Sequence, residues 1–275
     1  MILFIITVFT ACSSAQKEIG KVLFTTPEGY AERLSDALKE QGLEPVSLPA
    51  VKTVIPVENK ELESLLLSIE EYDYIAFSSR KAIEAFFIAS DSLEMEEYGN
   101  VVFCAIGKDS EKLNERDFNN TVIVPAEPSP AGIVDTLEAL GVSADTKIAV
   151  LVPEVRGLTE PGVVPSFIKG LENTGMEVSR VNAYVTSAVQ YPSADSLRTM
   201  IRKGEYDVIA FTSTAEIEAF LLLTGGKTWP GEQVLACFGP YTAANAEDMG
   251  LEIDIIASDY SSFSGFARAI KDFYK

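Results

Sequence analysis

Hydroxyl side chains follow buried strands at two corresponding places in this chain of 275 residues. Ser78 and Ser79, followed by Arg80 and Lys81, come directly after one apolar run, and Thr212–Ser213–Thr214 comes after a nearly identical one. Each group opens an apolar-faced helix, so it offers hydroxyls together with backbone N–H groups that have no partner in the first turn. Such a turn suits an anionic ligand, because the helix N-terminus carries partial positive charge.

A second pair of turns repeats this arrangement. Gly107–Ser110, with the sequence GKDS, follows the next apolar strand, and Gly239–Thr242, with the sequence GPYT, follows its counterpart. Taken singly, each hydroxyl has the alternative interpretation of a helix cap, and Ser213 with Glu216 has the spacing of a capping box. Four such turns at equivalent strand ends are better explained by a shared ligand face, since parallel sheets bind ligands beyond the carboxyl ends of their strands.

The composition narrows the chemistry that these turns can support. The chain has no histidine, which excludes a Ser–His–Asp triad or a Cys–His pair. Its cysteines, Cys12, Cys104 and Cys237, lack metal-ligand spacing, so we predict no metal site. Catalysis would therefore use hydroxyls, carboxylates, Lys, Arg and backbone N–H groups. Tyr184 ends a strand where the chain must leave one half of the molecule, and its phenol could donate a proton there, although a core or linker role is the alternative.

The net charge and the hydropathy of the chain limit the kinds of binding partner that the protein can have. The formal net charge of −19 argues against binding to nucleic acid or to acidic membranes, because phosphate contacts need clustered Lys and Arg. Residues 1–20 begin with an apolar stretch too short to span a bilayer, and we predict that this extension is not part of the fold. A reading as an exported lipoprotein would depend on lipidation of Cys12.

The elements that position these turns form an internal duplication. Tyr72–Phe87 reads YDYIAFSSRKAIEAFF, and Tyr206–Leu221 reads YDVIAFTSTAEIEAFL, 134 positions later. Strands alternate with helices and read as continuous apolar runs, which predicts parallel sheets covered on both faces. We therefore predict an α/β protein with about ten strands in two doubly wound, flavodoxin-like lobes, and a ligand cleft between the lobes.

Taken in order along the chain, these features resemble the uroporphyrinogen-III synthase family from about Lys21 to the C-terminus. No single motif is specific for that family, but the order and spacing of the motifs are specific for it. The matching residues are a TxP turn (Thr25, Thr26, Pro27), LxxxG with an LPxV-like strand (Leu38, Gly42, Leu48, Pro49, Val51), YDxIxFSS with xxIEAF, AIG before Ser110, V-x-x-Y-x-T (Val181, Tyr184, Thr186), FTS and FGPYTA.

The resemblance implies an interleaved chain. Residues 21–51 and 187–275 would form lobe 1, residues 55–184 would form lobe 2, and two linker strands would join them. It also implies the reaction: cyclisation of hydroxymethylbilane to uroporphyrinogen III, with inversion of the last ring, loss of water and no cofactor. The implied enzyme is a lyase of tetrapyrrole biosynthesis that is soluble, in the cytoplasm or plastid stroma, and monomeric.

Site roles follow from the resemblance in the same way. Tyr184 would help protonate the departing hydroxyl, so that a reactive azafulvene forms. The hydroxyls and neighbouring backbone N–H groups would hold the carboxylate arms, and a locally positive cleft would offset the acidity of the chain. The expected substrate-binding residues are Ser78, Ser79, Arg80, Lys81, Lys108, Ser110, Arg156, Ser213 and Thr242.

The chain also departs from the family pattern. Thr26 stands where the family has an arginine, Lys108–Asp109 is an unusual filling of its turn, and the stretch VPEVRGLTEPGVVP adds about seven residues absent from the other copy. These departures suggest a divergent branch of the plant or algal kind. They leave open an alternative function, a non-catalytic two-lobed homologue that binds a tetrapyrrole or another small anion.

Overall fold

The computed structural model describes residues 20–275 except 117, 118, 143, 192, 204, 205, 227, 228 and 230. The predicted extension over residues 1–20, and Cys12 with it, therefore lies almost wholly outside the described residues. Within them, no helix combines the length and the apolar content needed to cross a bilayer.

Strands and helices alternate along the described chain. The strands are β1 (Lys21–Phe24), β2 (Glu44–Ser47), β3 (Val51–Val54), β4 (Tyr74–Phe77), β5 (Val102–Cys104), β6 (Val122–Ile123), β7 (Lys147–Arg156), β8 (Glu177–Ala188), β9 (Val208–Phe211), β10 (Val234–Cys237) and β11 (Ile255–Ile256). The α-helices are α1 (Glu28–Glu40), α2 (Lys60–Leu67), α3 (Arg80–Ser92), α4 (Pro130–Ala139), α5 (Val163–Asn173), α6 (Ala194–Arg202), α7 (Thr214–Thr224), α8 (Pro240–Asp248) and α9 (Phe263–Asp272). Short 3₁₀ helices cover Ile69–Glu71 and Gly107–Glu115.

Two sheets divide the strands in an interleaved way, which confirms the predicted fold class. One sheet has the order β11-β10-β9-β1-β2, and the other has the order β3-β8-β7-β4-β5-β6. The first and last thirds of the chain thus share a sheet, called lobe 1 here, and the middle third forms lobe 2. The assignment of residues 21–51 plus 187–275 to lobe 1 and of 55–184 to lobe 2 stays a proposal, because sheet membership assigns strands and not boundaries.

The sheets differ from the prediction in one respect. Lobe 2 has a sixth strand, because β3 pairs antiparallel with the end of β8, from Val51 opposite Ala188 to Val54 opposite Val185. The other pairs in both sheets are parallel. β3 and the end of β8 are the two linker strands. Pro49 lies between β2, which pairs in the lobe 1 sheet, and β3, which pairs with the other linker strand. Because proline has no N–H to donate, it helps to separate these two pairings.

Apolar clusters cover both faces of each sheet. In lobe 2, α2 and α3 pack on one face and α4 and α5 on the other. In lobe 1, α6, α7 and α8 pack on one face and α1 and α9 on the other. The burial of both faces explains why the strands read as continuous apolar runs. Gly42, in the left-handed region with φ of 72°, follows the last turn of α1 and ends the helix.

Residues 157–160 connect the two lobes a second time and are called the bridge segment here. Leu158 packs against the lobe 1 core, and Glu218 on α7 accepts hydrogen bonds from the backbone N–H and the hydroxyl of Thr159 at 2.8 and 3.0 Å. On the lobe 2 side, Arg180 of β8 pairs with Glu160. The stretch that the sequence identified as additional thus contacts both lobes.

Candidate active site

All four predicted turns lie at the carboxyl edges of the sheets. Ser78 follows β4 and Thr212 follows β9, while Gly107 follows β5 by two residues and Gly239 follows β10 by one. Two surface concavities of about 670 and 1360 Å³ lie at the opposite edge of lobe 2, where strands β4 and β5 begin. The turns therefore mark the edge at which a parallel α/β sheet binds its ligand.

A β-bulge aims Tyr184 at this edge. β7 and β8 pair in register up to Val152 opposite Asn182, and then Pro153 lies opposite Tyr184, so that Ala183 is the extra residue. Ala183 and Tyr184 are consecutive, yet both pack into the same apolar cluster. In a regular strand they would point to opposite faces, so the bulge turns Tyr184 towards the face that carries α3.

Asn59 holds this bulge from the start of α2. Its Nδ2 donates to the carbonyl oxygens of Asn182 and Ala183 at 2.7 and 3.3 Å, and its Oδ1 caps α2 by accepting from Leu62 N at 3.2 Å. Glu61 accepts from the Asn182 N–H at 2.9 Å. These side chains bind the edge of β8 where β3 no longer covers it. Asn59 is not among the site residues predicted from the sequence, where its signal is an amide at a helix N-cap position.

The Tyr184 hydroxyl is buried and lies 2.9 Å from Ser79 Oγ. Burial raises the pKa of Tyr184 above its ordinary value of 10.0, the serines Ser79 and Ser78 oppose that shift, and the neighbouring Tyr30 and Asp109 increase it. Ser78 influences this pKa by proximity, while its own buried Oγ has no hydrogen-bond partner within the described chain. Tyr184 is therefore a neutral phenol that keeps its proton at physiological pH.

Tyr30 identifies what faces Tyr184. It belongs to the first turn of α1 in lobe 1, is 48% exposed, and lies near enough to perturb the Tyr184 hydroxyl of lobe 2. The first turn of α1 in lobe 1 therefore lies within electrostatic range of the Tyr184 hydroxyl in lobe 2.

The lobe 1 wall of the cleft is built on a buried carboxylate. Glu216 is 1% exposed, and its oxygens accept from Thr25 Oγ1, Ser213 Oγ and both the N–H and the hydroxyl of Thr212. Ser213 Oγ in turn accepts from the Glu216 N–H at 3.4 Å, as an N-cap of α7. Ser213 is therefore a helix cap, which is one of the two interpretations of its sequence position. The Glu216 side chain binds the Thr212 N–H and three hydroxyls, so it does not bind the Ser213 N–H as a capping box requires.

The basic residues expected to make the cleft positive are mostly paired with acids. Arg80 lies 3.7 Å from Glu115, Lys81 pairs with Glu84, and Arg156 pairs with Glu154. Lys108 is exposed on the 3₁₀ helix. The structure thus places these four side chains near the carboxyl edge of lobe 2 but does not gather them into one cluster of free cations.

Asp109, on the 3₁₀ helix Gly107–Glu115, places its carboxyl group against the first turn of α3. Its Oδ2 accepts from the Arg80 N–H at 2.9 Å, a group that the sequence analysis offered to the ligand. Burial raises the pKa of Asp109, while that hydrogen bond and the Arg80 charge oppose the shift. Asp109 thus puts a carboxyl group beside Tyr184, in the position where an anionic ligand would meet the helix.

The two remaining hydroxyl residues have local roles in the turns. Ser110 Oγ donates to the Gly107 carbonyl oxygen at 2.7 Å, inside its own 3₁₀ helix. Thr242 is buried in the first turn of α8.

The fold and this edge define a class: two-lobed α/β proteins with doubly wound sheets that bind a small ligand between facing strand ends. Within that class, the family model described as uroporphyrinogen-III synthase HemD matches residues 32–267. The chain therefore belongs to the uroporphyrinogen-III synthase family, as the sequence motifs predicted.

Individual relatives agree with this assignment. The chain is 25% identical to a uroporphyrinogen-III synthase of Chlorobaculum parvum, over 92% of this chain and 99% of that protein. It is 26% identical to the chloroplastic uroporphyrinogen-III synthase of rice, over 89% of this chain and 77% of that protein. The fold matches a crystal structure of a mutant uroporphyrinogen III synthase from Thermus thermophilus with a TM-score of 0.57, 14% identity, and coverage of 92% of this chain and 99% of that one.

Proposed function

We propose that this protein is a uroporphyrinogen-III synthase, a lyase of tetrapyrrole biosynthesis that cyclises hydroxymethylbilane with inversion of ring D and loss of water. The observation that carries the proposal is the buried Tyr184 hydroxyl, bonded to Ser79 at the cleft edge of a chain that belongs to this family. The reaction needs a proton for the leaving hydroxyl and a shape that directs ring closure, and it needs little else from the protein.

Tyr184 supplies the proton. The phenol O–H protonates the terminal hydroxyl, the C–O bond breaks, and water leaves while the adjacent pyrrole N–H gives up its proton to form a neutral azafulvene. One proton is given and one is released, so the phenol can be restored without a net change. The raised pKa of Tyr184 keeps the phenol protonated over the whole physiological range and also makes it a weaker acid, so its catalytic effect comes from its position at the leaving hydroxyl.

The cleft then orients the azafulvene. Attack by the substituted α-carbon of ring D gives the spiro intermediate that leads to inversion, whereas attack by the free α-carbon gives the spontaneous isomer. Holding the chain ends in one geometry favours the first path. Backbone N–H groups at the openings of α3, α7 and α8, with Ser78, Ser79, Ser213 and Thr242 beside them, are suited to hold the carboxylate arms.

The charges in the cleft require explanation in this proposal. An octacarboxylate substrate meets paired cations and Asp109, so Arg80, Lys81 and Arg156 must exchange their acidic partners for substrate arms. Such exchange costs little, because solvent-exposed ion pairs contribute roughly 0–1 kcal/mol. Asp109 favours the alternative of a non-catalytic homologue, since its carboxyl group occupies a helix terminus that an anion would use.

We further propose that the protein acts as a monomer on its small-molecule substrate, without nucleic acid, membrane or cofactor, in the cytoplasm or the plastid stroma. The chloroplastic name of the rice relative supports the plastid as one of these places. Sedimentation of the purified protein tests the monomer.

A coupled assay tests the reaction. Hydroxymethylbilane is generated in the presence of the protein, the products are oxidised to porphyrins, and isomers I and III are separated. We expect isomer III at a rate that depends on the protein concentration. Isomer I alone, at the rate of the blank, would reject the synthase and leave the binding homologue.

A further inference from the structure

Most of the exposed aromatic side chains of this protein lie at one edge of lobe 1. Among the residues that the structure describes, four aromatic side chains are exposed: Tyr30, Tyr241, Tyr260 and Phe273. The three tyrosines follow strands at the carboxyl edge of the lobe 1 sheet, where the hydroxyl turns also lie. Single exposed apolar residues are common on protein surfaces, but several aromatic rings at a ligand-binding edge indicate a contact surface.

The order of the strands spreads the three tyrosines along this edge. Tyr30 is in the first turn of α1, Tyr241 is the second residue of α8, and Tyr260 lies between β11 and α9. In the order β11-β10-β9-β1-β2, Tyr260 and Tyr241 follow neighbouring strands, and Tyr30 follows β1 on the other side of β9. Since neighbouring strands lie about 4.8 Å apart, the tyrosines span roughly 15 Å of the edge, which suits an extended ligand of several rings.

Close packing brings two of the tyrosines to the same turn. The Tyr260 side chain lies against Gly239, the N-cap of α8, so that a Cβ atom at position 239 would be 3.0 Å from Tyr260 Cβ and 3.2 Å from its Cγ. The glycine of the GPYT turn thus makes room for Tyr260 two residues before Tyr241. Within the described chain, neither ring pairs with another aromatic ring and neither hydroxyl has a hydrogen-bond partner, so both rings are available to a ligand.

Tyr30 connects this edge to the position of the proposed reaction. Its side chain belongs to lobe 1 and is 48% exposed, yet its hydroxyl lies within electrostatic range of the Tyr184 hydroxyl of lobe 2. In the proposed reaction Tyr184 protonates the departing hydroxyl, so the pyrrole ring that carries this hydroxyl must come close to Tyr30 as well. Tyr30 is therefore placed to cover the reacting ring from the side of lobe 1.

We infer that Tyr30, Tyr241 and Tyr260 form a tyrosine surface on which the pyrrole rings of hydroxymethylbilane pack, with Tyr30 covering the ring that loses its hydroxyl. This inference rests on the proposed function. A pyrrole ring is flat and apolar on both faces, and its carboxylate arms project from its rim, so a tyrosine ring can stack on it while the arms stay hydrated. Such contacts need no positive charge, which suits a protein of net charge −19 that binds a polyanion.

Tyr241→Ala tests the tyrosine surface at its most exposed ring. Because Tyr241 is 65% exposed, its Tm should stay at the wild-type value, while the KM for hydroxymethylbilane should rise about two- to tenfold, the effect of one lost ring contact. Phe273→Ala is the matched control, since it removes an exposed ring at the opposite edge of lobe 1, where the Tyr274 hydroxyl donates to the Asp207 carbonyl oxygen before β9. Its KM should not change. A wild-type KM in both Tyr241→Ala and Tyr260→Ala would overturn the inference.

The ratio of product isomers tests Tyr30 in a way that lost stability does not imitate. The assay uses the protein in excess over hydroxymethylbilane, so that the bound azafulvene and not spontaneous cyclisation determines the products. Tyr30→Ala should raise the share of isomer I severalfold, because the uncovered ring can turn before it closes, and Tyr30→Phe should recover isomer III. A wild-type isomer ratio in Tyr30→Ala would contradict the inference. Failure of the proposed function is distinct, because the wild-type protein would then yield only isomer I in the same assay.

Discussion

At the scale of single residues, the candidate site depends on where protons lie and less on net charge. Tyr184 is a buried neutral phenol, Ser79 is bonded to it, and burial raises its pKa, so it can give a proton but does not carry charge. Glu216 plays the opposite part, since it accepts four hydrogen bonds beneath the facing wall. Burial raises the pKa of Glu216 as well, while its hydrogen bonds to Thr212, Thr25 and Ser213 oppose that shift.

Tyr184→Phe should reduce kcat about 100-fold, because it removes the proton donor and keeps the ring that fills the core. Stopped-time isomer analysis measures the loss against the spontaneous background. Tyr72→Phe is the matched control: its hydroxyl bonds Ser179 of the same strand β8, at the far end from the cleft, and its kcat should not change. Equal turnover in Tyr184→Phe and the wild type would remove Tyr184 from the mechanism.

Asp109→Asn should make stability less dependent on pH. Because the folded-state pKa of Asp109 is raised above its ordinary value of 3.8, the folded protein binds this proton more tightly than the unfolded chain does. The resulting stabilisation is present at acid pH and is lost as the pH rises through the folded-state pKa. Asn keeps an acceptor for the Arg80 N–H, so the variant should gain Tm relative to the wild type as the pH rises from about 4 through the folded-state pKa of Asp109.

Scanning calorimetry across that range measures the difference. A variant whose Tm falls further below that of the wild type as the pH rises would show that the ionised carboxylate stabilises α3. The same substitution should lower KM by roughly two- to fivefold, since it removes an exposed-edge charge that repels the substrate.

At the scale of secondary structure elements, the position of Tyr184 is produced by a one-residue bulge and by the helix that binds it. Asn59 is suited to this task because one end of its amide caps α2 and the other end donates to the bulge carbonyls. The β8 edge would otherwise leave those carbonyls without protein donors where β3 ends.

Asn59→Ser should separate capping from bulge support. Serine can still cap α2, but it is too short to reach the carbonyl oxygens of Asn182 and Ala183, so kcat should fall while the free energy of unfolding drops by about 1 kcal/mol. Ser262→Ala, which removes the N-cap of α9, should cost a similar stability with unchanged kcat. Urea unfolding and the isomer assay measure both quantities. If the two variants lost activity in parallel, Asn59 would have only a structural role.

Sequence patterns predicted the elements better than they predicted this geometry. Continuous apolar runs and the YDxIAF repeat are sufficient for two doubly wound sheets and for the hydroxyl turns at their edges. Such patterns do not predict a bulge, because one extra residue in a strand changes the face of the sheet to which the following side chains point but leaves the residue types unchanged. The Thr25–Glu216 bond spans 191 positions, so its formation depends on β1 lying beside β9, which local spacing does not show. The pairing of Arg80 with Glu115 also depends on how remote elements pack.

At the scale of the whole molecule, the bridge segment limits how the lobes move relative to each other. Leu158 and Thr159 are held by lobe 1, and Glu160 is held by Arg180 of lobe 2, so the segment must break contacts if the cleft opens widely. The linker strands permit a hinge, and the bridge segment restrains it.

Glu218→Ala should release this restraint, because it removes both acceptors for Thr159. We expect a larger radius of gyration by small-angle scattering, a KM raised a few-fold and a Tm close to the wild-type value. Glu138→Ala, an exposed acid of α4, is the control for lost charge. A radius of gyration that is the same in both variants would mean that the linker strands alone set the opening.

The interleaved topology has a consequence for the order of events during synthesis. β1 lies inside its sheet between β2 and β9, so this strand is synthesised long before β9 and has no partner on one side until the last third of the chain follows. Lobe 2, whose strands β4 to β8 are consecutive, can assemble meanwhile. The apolar segment Val22–Phe24 would then remain exposed to solvent while lobe 2 is already folded. This exposure makes it the part of the chain that most needs a chaperone during synthesis.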